Sequence, residues 1–191
     1  GVGTDGTSFQ FAVKENNWLG RGVKLESSLN VSQDKVSGNI LVNNPNYNFS
    51  GNEVRALVDV SSTDRSSSSG FKSSKTGFEL GTNFEQYEDI FVYPKISLAF
   101  EDIETDSSAS AAIKKMEGNF FNSDFEYAVT LDKRNQSFKP TKGYKTTFRQ
   151  SLPIIQDSSS ISNGIDFSKY HDFSDDLIGA FKLNAKAING I

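Results

Sequence analysis

The chain has 191 residues, with 20 Lys and Arg against 24 Asp and Glu, 1 His and no Cys. Without cysteine there is no disulfide, no thiolate metal site and no Cys nucleophile. A formal net charge of -4, with the cations scattered along the chain, leaves no basic stripe to hold nucleic acid. The apolar content leans on Phe and β-branched residues, with Gly, Asn and Ser between them, so the composition points to an all-β chain.

In chain order, period-2 alternation returns again and again, and helical spacing is nearly absent. Phe9, Phe11 and Val13 open the series. In "VKLESSLNV" Val23, Leu25, Leu29 and Val31 share one face and Lys24, Glu26, Ser28 and Asn30 the other. Val36, Gly38, Ile40 and Val42 follow, then Val54, Ala56, Val58 and Val60, then Phe78, Leu80, Thr82 and Phe84. Ile90, Val92, Ile96, Leu98 and Phe100 come next, with Pro94 marking a bulge or weakened pairing because proline lacks a ladder donor. Phe125, Tyr127, Val129 and Leu131 precede Tyr144, Thr146, Phe148, Leu152 and Ile154. Ile165 to Phe173 is the least regular stretch, and Leu177, Phe181, Leu183 and Ala185 close the series. The reading predicts roughly ten antiparallel strands in sequence order.

The connections alternate strictly between two kinds. One is short or serine-rich and reads as unstructured: "GTDG", "SQDK", "STDRSSSSGFKSSK" from Ser62, Asp106 to Phe120, and "QDSSSISN" from Gln156. Within the fourth of these, Ser107 to Glu117 has a composition that suits a short helix or a flexible loop. The other kind carries aromatics and proline: "NNWLGRG", "NNPNYNFSGN", "NFEQYEDI", "DKRNQSFKPTKGYK" and "SKYHDFSDD". Successive connections of a meander lie at opposite ends of the sheet, so the two ends face different surroundings. A membrane barrel sorts its ends this way, long polar loops at one and tight turns with an aromatic girdle at the other.

Alternation alone does not say which face is dry, because the period is the same whether Lys24, Glu26, Arg55, Asp59, Glu79, Glu126, Arg149 and Lys182 line a wet interior or coat a soluble core. Roughly ten strands would enclose a large apolar interior for a chain only 36% hydrophobic, which favours charged residues inside and lipid outside. No apolar run approaches the roughly 20 residues of a membrane helix, whereas a membrane strand needs only about 9 to 11 residues, apolar at alternate positions.

Three turns carry a family resemblance. Asn17, Trp18, Leu19, Gly20 and Gly22 fit a D/NNWLGxG turn, Asn44, Pro45 and Tyr47 an xNPxF/Y turn, and Asp132, Arg134, Phe138, Pro140, Thr141 and Gly143 a DxRxxxxxPTxGxR/K turn. In this order and at these separations they resemble the barrel of BamA-type outer-membrane assembly factors of the bacterial surface antigen family. The resemblance implies an all-β, up-and-down, incomplete transmembrane barrel over residues 1–191, running from the end of the first strand to about the eleventh of sixteen. The chain's ends, "GVGTDG" and "KAINGI", look cut in keeping with that expectation. It also implies POTRA domains upstream, and a VRGF-type loop and closing strands downstream.

As function, the resemblance implies folding and insertion of barrel proteins into the outer membrane by strand-edge templating and bilayer thinning. The implied partners are membrane lipid, unfolded outer-membrane proteins and, through the POTRA domains, accessory lipoproteins. The alternatives are the barrel of a two-partner-secretion transporter and a soluble β-sandwich adhesin. Neither the resemblance nor the residues offer a catalytic, cofactor or metal site. His171 stands alone and reads as a surface-turn residue, Glu101 and Asp102 point to opposite faces of a strand, Asp175 and Asp176 read as a solvated turn, and "GVGTDG" precedes no helix that would cradle a phosphate.

Overall fold

The computed structural model describes residues 2–3, 6–155, 160–174 and 176–190. A two-residue pair, β1 (Val2–Gly3) and β2 (Gly6–Thr7), precedes the main sheet. That sheet comprises β3 (Phe9–Trp18), β4 (Val23–Val31), β5 (Lys35–Asn44), β6 (Glu53–Arg65), β7 (Phe71–Tyr87), β8 (Ile90–Thr105), β9 (Gly118–Asp132), β10 (Gly143–Ile155), β11 (Ser160–Ser174) and β12 (Leu177–Gly190). Every strand pairs antiparallel with its sequence neighbours, giving a ten-stranded meander that runs from β3 to β12 without a crossover. Among the described residues β3 and β12 each have one neighbour, so the sheet has two free edges.

The register settles which residues share a face. Phe11 lies opposite Leu29, Leu29 opposite Gly38, and Gly38 opposite Val60. Val58 faces Phe78, Phe78 faces Leu98, Val129 faces Phe148 and Phe148 faces Ile165. The apolar sets of all ten strands therefore merge into one continuous wall. Paired directly across strands, their side chains support one another laterally.

That wall is bare. Phe9 is 71% exposed, Val58 42% and Val129 37%, and the one apolar residue buried among the described ones is Ala109, in a loop. Apart from Gly70 and Gly77, the other buried residues are polar: Ser123, Thr130 and Thr147. The chain exposes 12982 Å², where a globular protein of its mass would expose about 9000 Å². A soluble sandwich reverses this arrangement, with greasy side chains packed and polar ones outside. Among the described residues no helix is long and apolar enough to cross a membrane.

Several local expectations change. The serine-rich run from Ser62 is mostly strand: β6 continues to Arg65, one helical turn α1 (Ser66–Ser69) makes the bend, and β7 starts at Phe71. Partner strands close the backbone hydrogen bonds there, Ser62 opposite Ser74 and Asp64 opposite Lys72, so strand pairing overrides the weak β preference of serine. The segment after Asp106 does hold one helical turn, α2 (Ala111–Lys114), with Ser110 capping it by accepting from the Ile113 amide. The "SKYHDFS" stretch belongs to β11, and His171 sits in that strand, opposite Gly179. Gln156 to Ser159 and Asp175 lie outside the described residues. At Pro94 the pairing of β8 with β7 breaks off between Lys95 and Val92, as the missing donor requires, while the pairing with β9 continues through Pro94 opposite Tyr127.

Candidate functional site

All the aromatic and proline-bearing turns lie at one end of the sheet, because they alternate with the serine-rich bends of the meander. Among the described residues, all the non-glycine ones with positive φ lie at this end too: Leu19, Asn48, Phe49, Asp89 and Lys139. Each of the three motif turns is held by a short polar side chain that replaces the lost ladder. In the first, Asn17 Oδ1 accepts from the Gly22 amide at 2.6 Å, while Leu19, Gly20 and Gly22 take φ of 55, 70 and 70. Trp18 ends β3 half exposed, in a position to sit at a membrane interface.

In the second turn Asn44 Oδ1 accepts from the Asn46 amide at 3.1 Å, and Asn46 Oδ1 from Gly51 at 2.8 Å. Between them a 3₁₀ turn at Tyr47–Phe49 lifts the Phe49 ring out until it is 93% exposed.

The third turn is the most built. The Arg134 guanidinium grips Asp132 through two parallel hydrogen bonds, Nε to Oδ1 at 2.7 Å and Nη2 to Oδ2 at 2.6 Å. Their side chains are only 14% and 21% exposed, so this is a partly buried fork and not a loose surface pair. Asp132 is what holds the Arg134 guanidinium firmly charged. Asn135 Oδ1 accepts from both the Thr141 and Lys142 amides at 3.1 Å, and its Nδ2 donates to Thr141 Oγ1 at 2.8 Å. Gly143 has φ 91, and a Cβ there would lie 2.0 Å from the Lys133 carbonyl oxygen.

Lys139 precedes Pro140, which disfavours helical backbone in the residue before it, yet it is left-handed at φ 49. Gln136 Nε2 donates to its carbonyl at 2.7 Å, and this local bond outweighs the bias that proline sets. The turn is also stitched to both neighbours. Lys133 Nζ meets Asp89 Oδ2 at 2.5 Å and Lys142 Nζ meets Asp172 Oδ2 at 2.8 Å. Asn135, Asn46 and Asp89 escaped the sequence reading, although side chains of this type in a turn are the usual means of satisfying stranded amides.

Opposite the apolar wall runs a polar one. Lys95 Nζ bridges Glu79 at 3.1 Å and Glu126 at 3.3 Å, and Thr130 and Thr147 share a 2.9 Å hydroxyl contact. Lys95, Glu126, Thr130 and Thr147 line a groove of about 880 Å³ together with Arg55 and Arg149. Glu101 and Asp102 fall on opposite faces, Glu101 facing Lys75 and Asp102 facing Ser74. Among the described residues no group of three or more His, Asp and Glu could hold a metal ion.

A meander with an apolar outer face, a charged inner face and turns sorted by end is the wall of an outer-membrane β-barrel. The chain belongs to the Omp85 superfamily, whose domain matches residues 17–191. Its fold is similar to that of BamA from Haemophilus ducreyi lacking POTRA domains 1-3, with a TM-score of 0.71 and 16% identity. That similarity covers 98% of this chain and 39% of the other. The chain thus spans well under half of that relative, and its place is the cell outer membrane.

Proposed function

We propose that residues 1–191 form part of the membrane barrel of a factor that folds and inserts β-barrel proteins into the outer membrane. The observation that carries this reading is the match of residues 17–191 to the Omp85 superfamily domain, on a sheet whose apolar outer wall faces lipid. An unpaired row of N–H and C=O groups in a bilayer must be matched by another strand, and an incoming strand is able to supply that match by β-augmentation. In this proposal the three motif turns are rim architecture that holds the strands in register, and the activity is not enzymatic. The partners are membrane lipid, unfolded outer-membrane proteins and accessory lipoproteins that dock outside these strands.

The test is depletion of the full-length protein in its host, followed by the folded fraction of many unrelated outer-membrane barrels. A broad fall, with unfolded forms accumulating, is the expected result. Loss of a single secreted protein with barrels intact would move the assignment to export, the other activity that an Omp85 barrel with a charged inner wall suits.

A further inference from the structure

The lipid-facing wall carries a hydrogen-bonded polar seam that neither assembly nor export explains. Across β9, β10 and β11 the register places Tyr127 opposite Gln150 and Gln150 opposite Asn163. Tyr127 Oη donates to Gln150 Oε1 at 2.9 Å, and Gln150 Nε2 donates to Asn163 Oδ1 at 2.6 Å. Rows on either side are apolar: Phe125 with Leu152 toward the serine-rich end, and Val129, Phe148 and Ile165 toward the motif turns. Carboxamides inside an apolar band are costly in hydrocarbon unless their groups are matched.

The chain of bonds leaves a surplus of amide hydrogens without any bond, while each oxygen in it already takes part in one. Both carboxamide oxygens already accept, whereas the Asn163 Nδ2 hydrogens and the second Gln150 Nε2 hydrogen have no partner among the described residues. The row also climbs toward the serine-rich end. Beyond Tyr127 on β9 come Phe125, Ser123, Phe121 and Asn119; beyond Gln150 on β10 come Leu152 and Ile155; beyond Asn163 on β11 comes Ile161 among the described residues. The free donors therefore sit near the outer boundary of the apolar band, and the next strand offers only Ala187 beside them. An acceptor that brings no donor of its own matches this surplus. At that depth the ester carbonyls of acyl lipids are such acceptors, while a neighbouring spanning segment has already closed its backbone bonds internally.

We propose that the Tyr127–Gln150–Asn163 ladder is a lipid site, whose free amide N–H groups hold the ester carbonyl of an acyl lipid in the outer leaflet. The full-length protein is reconstituted into vesicles of a dialkyl ether phosphatidylcholine doped with the diacyl ester lipid of equal chain length. Native mass spectrometry then compares the retained ester lipid with its share in the vesicle. The proposal expects about a 3- to 10-fold enrichment, falling to none in Gln150→Leu/Asn163→Leu, in keeping with about 1 kcal/mol for one hydrogen bond. Leucine suits the wall, and heat-modified gel mobility confirms that the variant is folded. If the double variant does not fold, Asn163→Leu alone serves, together with the infrared band of ¹³C-labelled ester carbonyls. That band must shift to lower frequency with the unsubstituted protein. Equal retention of the two lipids, enrichment that survives the substitutions, or an unshifted band overturns the proposal. Capture of a protein in cells by a photo-crosslinker at Ala187 also overturns it, in favour of a polypeptide partner.

Discussion

Asp132 and Arg134 stand two positions apart, yet they form the best-made ion pair of the turns, because the fork closes inside the rim and excludes most water. Arg134→Ala leaves a partly buried carboxylate with fewer donors, and we expect a loss of about 1–3 kcal/mol in the urea midpoint of the reconstituted protein. Arg134→Lys recovers part of that loss, since an ammonium cannot make both bonds. Glycines in the turns divide in the same way. Gly20→Ala, with open space around it, costs about 1 kcal/mol for its positive φ alone, whereas Gly143→Ala also drives a methyl into the Lys133 carbonyl and costs about 2–4 kcal/mol. The contrast between the two unfolding midpoints checks this.

At the other end of the sheet, the Ser108 hydroxyl and amide hold Asp106 below its ordinary value near 3.8. The Asp106 amide donates to the Gly70 carbonyl, tying two loops together. A lowered carboxylate stabilises the loop above its unfolded value, and that contribution is lost as pH falls through the lower, folded value. The protection of the Ser108 amide against hydrogen exchange, taken relative to its intrinsic rate at each pH, should therefore fall as pH drops below about 4, and in Asp106→Asn it should no longer follow this titration.

At the scale of elements, each strand is defined by its two faces, and neighbouring residues answer to different solvents. Val58 and Asp59 are adjacent on β6, Val58 on the lipid wall and Asp59 opposite Gly77 on the polar one. We expect Val58→Lys to cost about 2–4 kcal/mol near the membrane midplane. Asp59→Lys should stay within about 0.5 kcal/mol, because water reaches that face. Unfolding in vesicles, followed by tryptophan fluorescence, separates the two. Strand lengths were less legible than strand faces. The Ser62–Ser74 region reads as loop from composition, and only pairing with neighbours many residues away turns it into a hairpin stem. Pro94 was legible, since a missing donor has the same effect wherever the strand lies. Lys139 was not, because Gln136 decides its backbone from three residues away.

For the molecule as a whole, the free edges on β3 and β12 call for further strands. In the full-length polypeptide, amides of Leu177–Gly190 should exchange as slowly as those of β7, whereas fast exchange along that strand would mean that the edge stays open. By itself the sequence determined the alternation, the meander order, the sorting of turns by end and the three turn motifs, since these are local and set by side-chain period and turn chemistry. Only the tertiary structure decided which face is bare, because period 2 is blind to inside and outside. Long-range register alone brought Asp89 to Lys133, joined Asp172 to Lys142 and aligned Tyr127, Gln150 and Asn163 in one row, since those neighbours exist only once the strands are paired.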